Sequence, residues 1–153
     1  MRPSYGPIIK ALADDPRVDF FIGSVHHVHG VPVDYDRAMY EKARQVGDGS
    51  DQRLFEDYFD DMFAMLQELQ PRVVAHFDLI RLLSDAPNQD LKTWDSVWAK
   101  VVRSLKLIVE QGGLLEVNSS ALRKGLHEPY PSRSVCKVWV CTGIYISHKT
   151  NNL

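Results

Sequence analysis

The chain has 153 residues, 44% hydrophobic and 25% charged, the balance of an ordinary globular domain long enough to bury one core. Eighteen Lys and Arg against 20 Asp and Glu leave a formal charge of −2, which gives no electrostatic footprint for nucleic acid. No apolar run approaches the roughly 20 residues a membrane helix needs, residues 1–7 lack a signal-peptide core, and two cysteines are too few for a disulfide framework, so the expected setting is the cytoplasm.

Taken in chain order, the pattern alternates. Residues 5–13 are apolar at helical spacing and stop at Asp14-Asp15-Pro16. Residues 19–26 read as a first strand and residues 36–46 as a helix ended by Gly47-Asp48-Gly49. Ser50 is placed to cap a long helix, with Asp51 favouring its positive end. Leu54, Phe55, Tyr58, Phe59, Met62, Met65, Leu66 and Leu69 form one stripe on it, and Gln70-Pro71 ends it. Residues 72–76 read as a second strand, followed by a short helical pattern over 77–83 and a polar loop over 84–89. Leu91, Trp94, Trp98, Val101, Val102, Leu105 and Ile108 mark a second amphipathic helix, which Gly112-Gly113 stops. Residues 114–118 make a third strand, and residues 138–146 fit a strand or a helix.

Helices between short apolar strands imply βαβ units and a parallel sheet. Right-handed crossovers then put every strand end on the same edge. His26, His76 and Asn118 close the three strands, so they are expected to converge although some fifty residues separate them. A histidine ending an apolar strand is more often a packed, hydrogen-bonded residue than a metal ligand, and the coincidence of two such placements raises the ligand reading for both. His27 alternates to the opposite face, and His29 reads as a solvated loop residue. Glu116 and Asn118 share a face, although Asn118 and Ser119 also suit a simple turn cap. Arg123-Lys124-Gly125 lies where a loop after a strand grips phosphate. Asp34, Asp36 and the Glu56-Asp57, Asp60-Asp61 run read as loop caps and a solvated helix face. Cys136 and Cys141, with four residues between them, say little about zinc. Two strand-end histidines and an asparagine fall short of the three ligands that catalytic zinc sites use.

These residues sit in longer strings. Ile22-Gly23-Ser24-Val25-His26-His27-Val28, Pro32-Val33-Asp34-Tyr35-Asp36, Leu54-Phe55-Glu56-Asp57-Tyr58-Phe59-Asp60 and Val73-Val74-Ala75-His76-Phe77-Asp78-Leu79-Ile80-Arg81-Leu82 resemble fungal-type histidinol-phosphatases. So does Leu115-Glu116-Val117-Asn118-Ser119-Ser120-Ala121-Leu122-Arg123-Lys124-Gly125, continuing into Glu128-Pro129-Tyr130-Pro131. Those enzymes belong to the polymerase and histidinol phosphatase (PHP) superfamily, and the likeness runs from about Arg2 to Cys136.

The resemblance implies an α/β fold, a partial distorted (β/α) barrel with a metal cluster at the carboxyl ends of parallel strands. It implies hydrolysis of L-histidinol phosphate to L-histidinol and phosphate, in histidine biosynthesis, with Zn, Mn or Fe as cofactor. On this mapping His26 and His76 match metal ligands, Asn118 lines the site, and Arg123 with Arg81 holds the phosphate. The family pattern opens with a His-x-His strand and a strand-end Glu, and closes with an Asp-x-His pair. This chain has none of these, and Ser147-His148 is a partial echo. The expectation is therefore residues 1–136 as the central part of such a barrel, followed by a divergent tail over 137–153. The alternative is a catalytically inactive PHP piece that binds metal or a partner chain. A nuclease-like PHP domain is disfavoured by the charge of −2.

Overall fold

The computed structural model describes residues 6–141 and 147–148. Helix α1 (Gly6–Ala13) precedes strand β1 (Ile22–Gly23), which opens a four-stranded sheet of order β1-β4-β5-β6. Strands β4 (Val73–Val74), β5 (Leu114–Val117) and β6 (Ser147–His148) complete it, and every neighbouring pair is parallel. The register sets Gly23 beside Val74 and Val74 beside Leu115, so the three strands point the same way in step, β5 continuing two residues further to Val117.

Two helices link β1 to β4. Asp36 caps α2 (Arg37–Val46) by accepting from the Met39 amide, and Ser50 caps α3 (Asp51–Leu69) by accepting from the Arg53 amide. Each such cap is worth about 1 kcal/mol. The α3 stripe is buried from Leu54 to Leu66, with Leu69 half-buried at the end. Gln70 then takes a left-handed backbone, φ 45°, and Pro71 follows. Between β4 and β5 the chain makes two 3₁₀ turns, Leu79–Leu83 and Leu91–Thr93, before α4 (Asp95–Glu110). Val97, Val101, Leu105 and Ile108 of α4 join Phe59, Met62 and Leu66 of α3 in one core. Across the rim of that contact, Lys100 Nζ lies 2.5 Å and Arg103 Nη2 2.8 Å from the Asp60 carboxylate.

The structure differs from the sequence reading in several places. The expected strand over 19–26 is regular only at Ile22–Gly23, because the chain leaves the sheet to form a hairpin. That hairpin pairs β2 (His27–Val28) antiparallel with β3 (Val31–Pro32). Its two-residue loop has positive φ at both positions, His29 at 55° and Gly30 at 76°, the primed turn that matches strand twist. Of residues 77–83, Leu79–Leu83 wind as a 3₁₀ turn, and α4 starts at Asp95 with Leu91 outside it. A short helix α5 (Ser120–Arg123) and helix α6 (Arg133–Cys141) follow β5. Of residues 138–146, those up to Cys141 are helical, and 142–146 lie outside the described residues. Helix α6 runs unbroken across 136–137, with Val135 and Trp139 both buried. Among the described residues no helix is long and apolar enough to cross a membrane.

Candidate functional site

Strands that point the same way put His26, His76 and Asn118 on one edge of the sheet, and their side chains meet there. The His26 and His76 rings stand edge to face with centroids 5.8 Å apart. His26 Nδ1 is hydrogen-bonded to Asp34 Oδ2 at 2.9 Å, and His76 Nδ1 lies 3.2 Å from both Glu116 Oε2 and its hydrogen-bond partner Asn118 Nδ2. Holding Nδ1 this way fixes the orientation of each ring.

The Asp34 carboxyl is held below its ordinary pKa, first by the hydrogen bond with His26. Partial burial is the main cause of the lowered His76 pKa. The positive field of His26 adds to it and the Glu116 charge opposes it. A neutral imidazole is the form that binds metal. His76 also has a left-handed backbone, φ 50°, a conformation costly for a side chain with a Cβ. Its carbonyl is pinned by the Tyr58 hydroxyl at 3.3 Å and the Leu79 amide at 2.9 Å.

Asn118 does both things the sequence allowed. Its Oδ1 accepts from the Ser120 amide at 2.9 Å as a turn cap, and its Nδ2 donates to Glu116 Oε2 at 3.3 Å, 3.2 Å from His76 Nδ1. Its backbone bonds twice to Tyr130, with N to O distances of 2.7 and 3.1 Å, and the Tyr130 ring lies 6.2 Å from that of His76.

The two arginines are placed very differently. Arg81 is 2% exposed. Its Nε lies 2.9 Å from Asp78 Oδ2, and its Nη2 donates to Asp78 Oδ1 at 3.3 Å and to the Pro129 carbonyl at 2.8 Å. Asp78, fully buried, also accepts from the Ser132 amide at 2.8 Å. The pair thus ties residues 129–132 to the turn after β4, with its charge already committed. Arg123 is exposed at the end of α5. Beside it, Lys124 is near enough for its charge to lower the pKa of both Asp34 and His76.

Three residues of this constellation were outside the sequence-level site: Asp34, Glu116 and Tyr130. Glu116 had a signal, since it shares a strand face with Asn118. The others come in only through the hairpin and the turns after β5. His27 is exposed, and His29 Nε2 pairs with Asp57 Oδ2 at 3.1 Å.

Two imidazoles oriented by carboxylates suit a divalent metal in kind. They do not suit it in number. Among the described residues no group of three or more His, Cys, Asp or Glu side chains is arranged to hold a metal ion.

Comparisons with known proteins bear on the family and the fold. Residues 4–120 match the PHP domain family. A Schizosaccharomyces pombe protein named probable histidinol-phosphatase is 35% identical over 148 residues, 96% of this chain and 48% of its own length. A Saccharomyces cerevisiae protein named histidinol-phosphatase is 34% identical over 139 residues, 78% of this chain and 42% of its own length. The chain therefore spans about half the length of the curated relatives it matches. A crystal structure of a proposed histidinol phosphatase from Listeria monocytogenes superposes with a TM-score of 0.78 at 18% identity, covering 94% of this chain and 57% of that one. That likeness concerns the fold, a mixed α/β fold built on a parallel sheet. With strand-end histidines at one edge of that sheet and the family match running from residue 4 to residue 120, the chain belongs to the PHP domain family.

Proposed function

We propose that this chain carries the His26–His76 portion of a histidinol-phosphatase, a metal-dependent phosphomonoesterase that cleaves L-histidinol phosphate to L-histidinol and phosphate. The observation that carries the reading is the pair of strand-end imidazoles, 5.8 Å apart, each with a carboxylate on Nδ1. Identity of 35% and 34% to proteins bearing that name supports the substrate class. In this reading the parallel sheet is part of a distorted barrel with the metal site at its carboxyl edge. His26 and His76 hold a divalent ion, Zn, Mn or Fe, which when bound polarises a phosphate ester. Asn118 lines the site, and Arg123 with Lys124 attracts the phosphate. Arg81, spent on Asp78, acts by holding residues 129–132 in place. Such a reaction of small-molecule biosynthesis belongs in the cytoplasm.

The test is release of inorganic phosphate from L-histidinol phosphate by the purified chain with Mn²⁺ or Zn²⁺, beside His26→Ala. Release that the variant loses supports the reading. The alternative, an inactive piece that binds metal or a partner chain, is favoured by the incomplete donor set. Metal binding by folded protein without any turnover would select it.

A further inference from the structure

Tyr130 is fully buried, yet its hydroxyl has no hydrogen-bond partner. An unpaired buried hydroxyl weakens a fold, so its retention calls for a physical reason. The rest of the residue is firmly held. Its backbone is bonded twice to Asn118, and the Arg81 guanidinium, locked by Asp78, stands 5.6 Å over its ring. The ring meets His76 edge-on at 6.2 Å. The phenol is thus fixed against the site with its one polar atom unsatisfied. A phenol is a protonated hydrogen-bond donor at neutral pH.

We propose that Tyr130 is a binding residue of the His26–His76 site, its hydroxyl donating a hydrogen bond to an anionic oxygen of the bound phosphate. This rests on the phosphatase reading given above and adds a group that the reading does not require. The His76 side chain, whose ring meets that of Tyr130, is 28% exposed, so a ligand engaging His76 comes up against the ring on which the phenol packs. The hydrogen bond lost in the free protein is then regained in the complex.

The test uses the whole chain, with Zn²⁺ and inorganic phosphate as probes. Tyr130→Phe keeps the ring and removes only the oxygen. It is expected to keep wild-type Zn²⁺ affinity and a ligand-free thermal midpoint no lower than wild type. Its phosphate affinity in the presence of Zn²⁺ is expected to fall about tenfold or more, as for a lost hydrogen bond to a charged group. Unchanged phosphate affinity overturns the proposal. So does a lower ligand-free midpoint, which would mean that the hydroxyl is already satisfied within the fold. His26→Ala separates the two levels. Phosphate binding lost there but kept in Tyr130→Phe overturns the role of Tyr130 alone. Phosphate binding that survives His26→Ala, or none in the wild type, overturns the underlying reading together with it.

Discussion

His26 and Asp34 meet, Nδ1 to Oδ2 at 2.9 Å, because the hairpin between them turns the chain back on itself within eight residues. The Val33 amide donates to the His26 carbonyl at 3.0 Å and closes that return. Orienting partners of this kind are worth 10–100-fold, roughly, in metal affinity. Asp34→Asn is accordingly expected to weaken Zn²⁺ binding by about that factor while leaving the circular dichroism spectrum unchanged.

Arg81 and Arg123 should separate cleanly on mutation. Arg81→Met leaves the Asp78 carboxylate buried without its cation, a change that costs about 3–5 kcal/mol. Urea unfolding should show most of the fold's stability gone, since domains hold only about 5–15 kcal/mol in total. Arg123→Ala, at an exposed position, is expected to unfold within about 0.5 kcal/mol of wild type. Its effect should appear as weaker phosphate binding.

The left-handed backbone of His76 predicts an unusual pattern of stabilities. His76→Gly should remove strain of about 1–2 kcal/mol and offset much of the lost side-chain packing. His76→Val should be clearly less stable, because a β-branched residue fits that conformation worst. Thermal midpoints of the two variants, compared without metal, check this.

Gly23 has no room for a side chain. A Cβ there would stand 2.7 Å from Pro71 Cγ and 2.8 Å from Met65 Sδ. Gly23→Ala is expected to cost about 1–3 kcal/mol by overpacking, read by urea unfolding, and to disturb the strand that leads to His26.

A pH effect is expected at the other end of the fold. Asp85 is paired with Arg37 and Arg44, which ties the loop after the first 3₁₀ turn to α2. Arg37, then Arg44, hold the Asp85 carboxyl below its ordinary value of 3.8. A depressed carboxylate pKa means stability that is fully present above the unfolded value and lost as pH falls through the folded one. Asp85→Ala should therefore melt lower than wild type at pH 7, and the gap should close as the pH is taken below about 3.8. A gap that persists or widens in acid would count against this pair.

Much of the scaffold was legible because its signals are local. The α3 stripe, the caps at Asp36 and Ser50, and the stop at Gln70-Pro71 each depend on neighbours within a turn or two. His26, His76 and Asn118 could be placed together from the parallel-sheet rule alone. The hairpin was hidden because His29-Gly30 is not one of the usual Asn-Gly or Asp-Gly signals. The sequence also could not tell Arg81 from Arg123. One becomes buried only because Asp78 and the chain near Pro129 close around it, across a separation of 48 residues. Tyr130 joins the site through a turn whose geometry no short pattern specifies.

The central claim is that His26 and His76 act as one site. Calorimetric titration of Zn²⁺ into the wild type, His26→Ala, His76→Ala and the double variant tests it most directly. The account predicts that each single replacement abolishes most of the affinity and that the double variant is no worse than either. Wild-type affinity retained in either single variant, or losses that simply add, would contradict it.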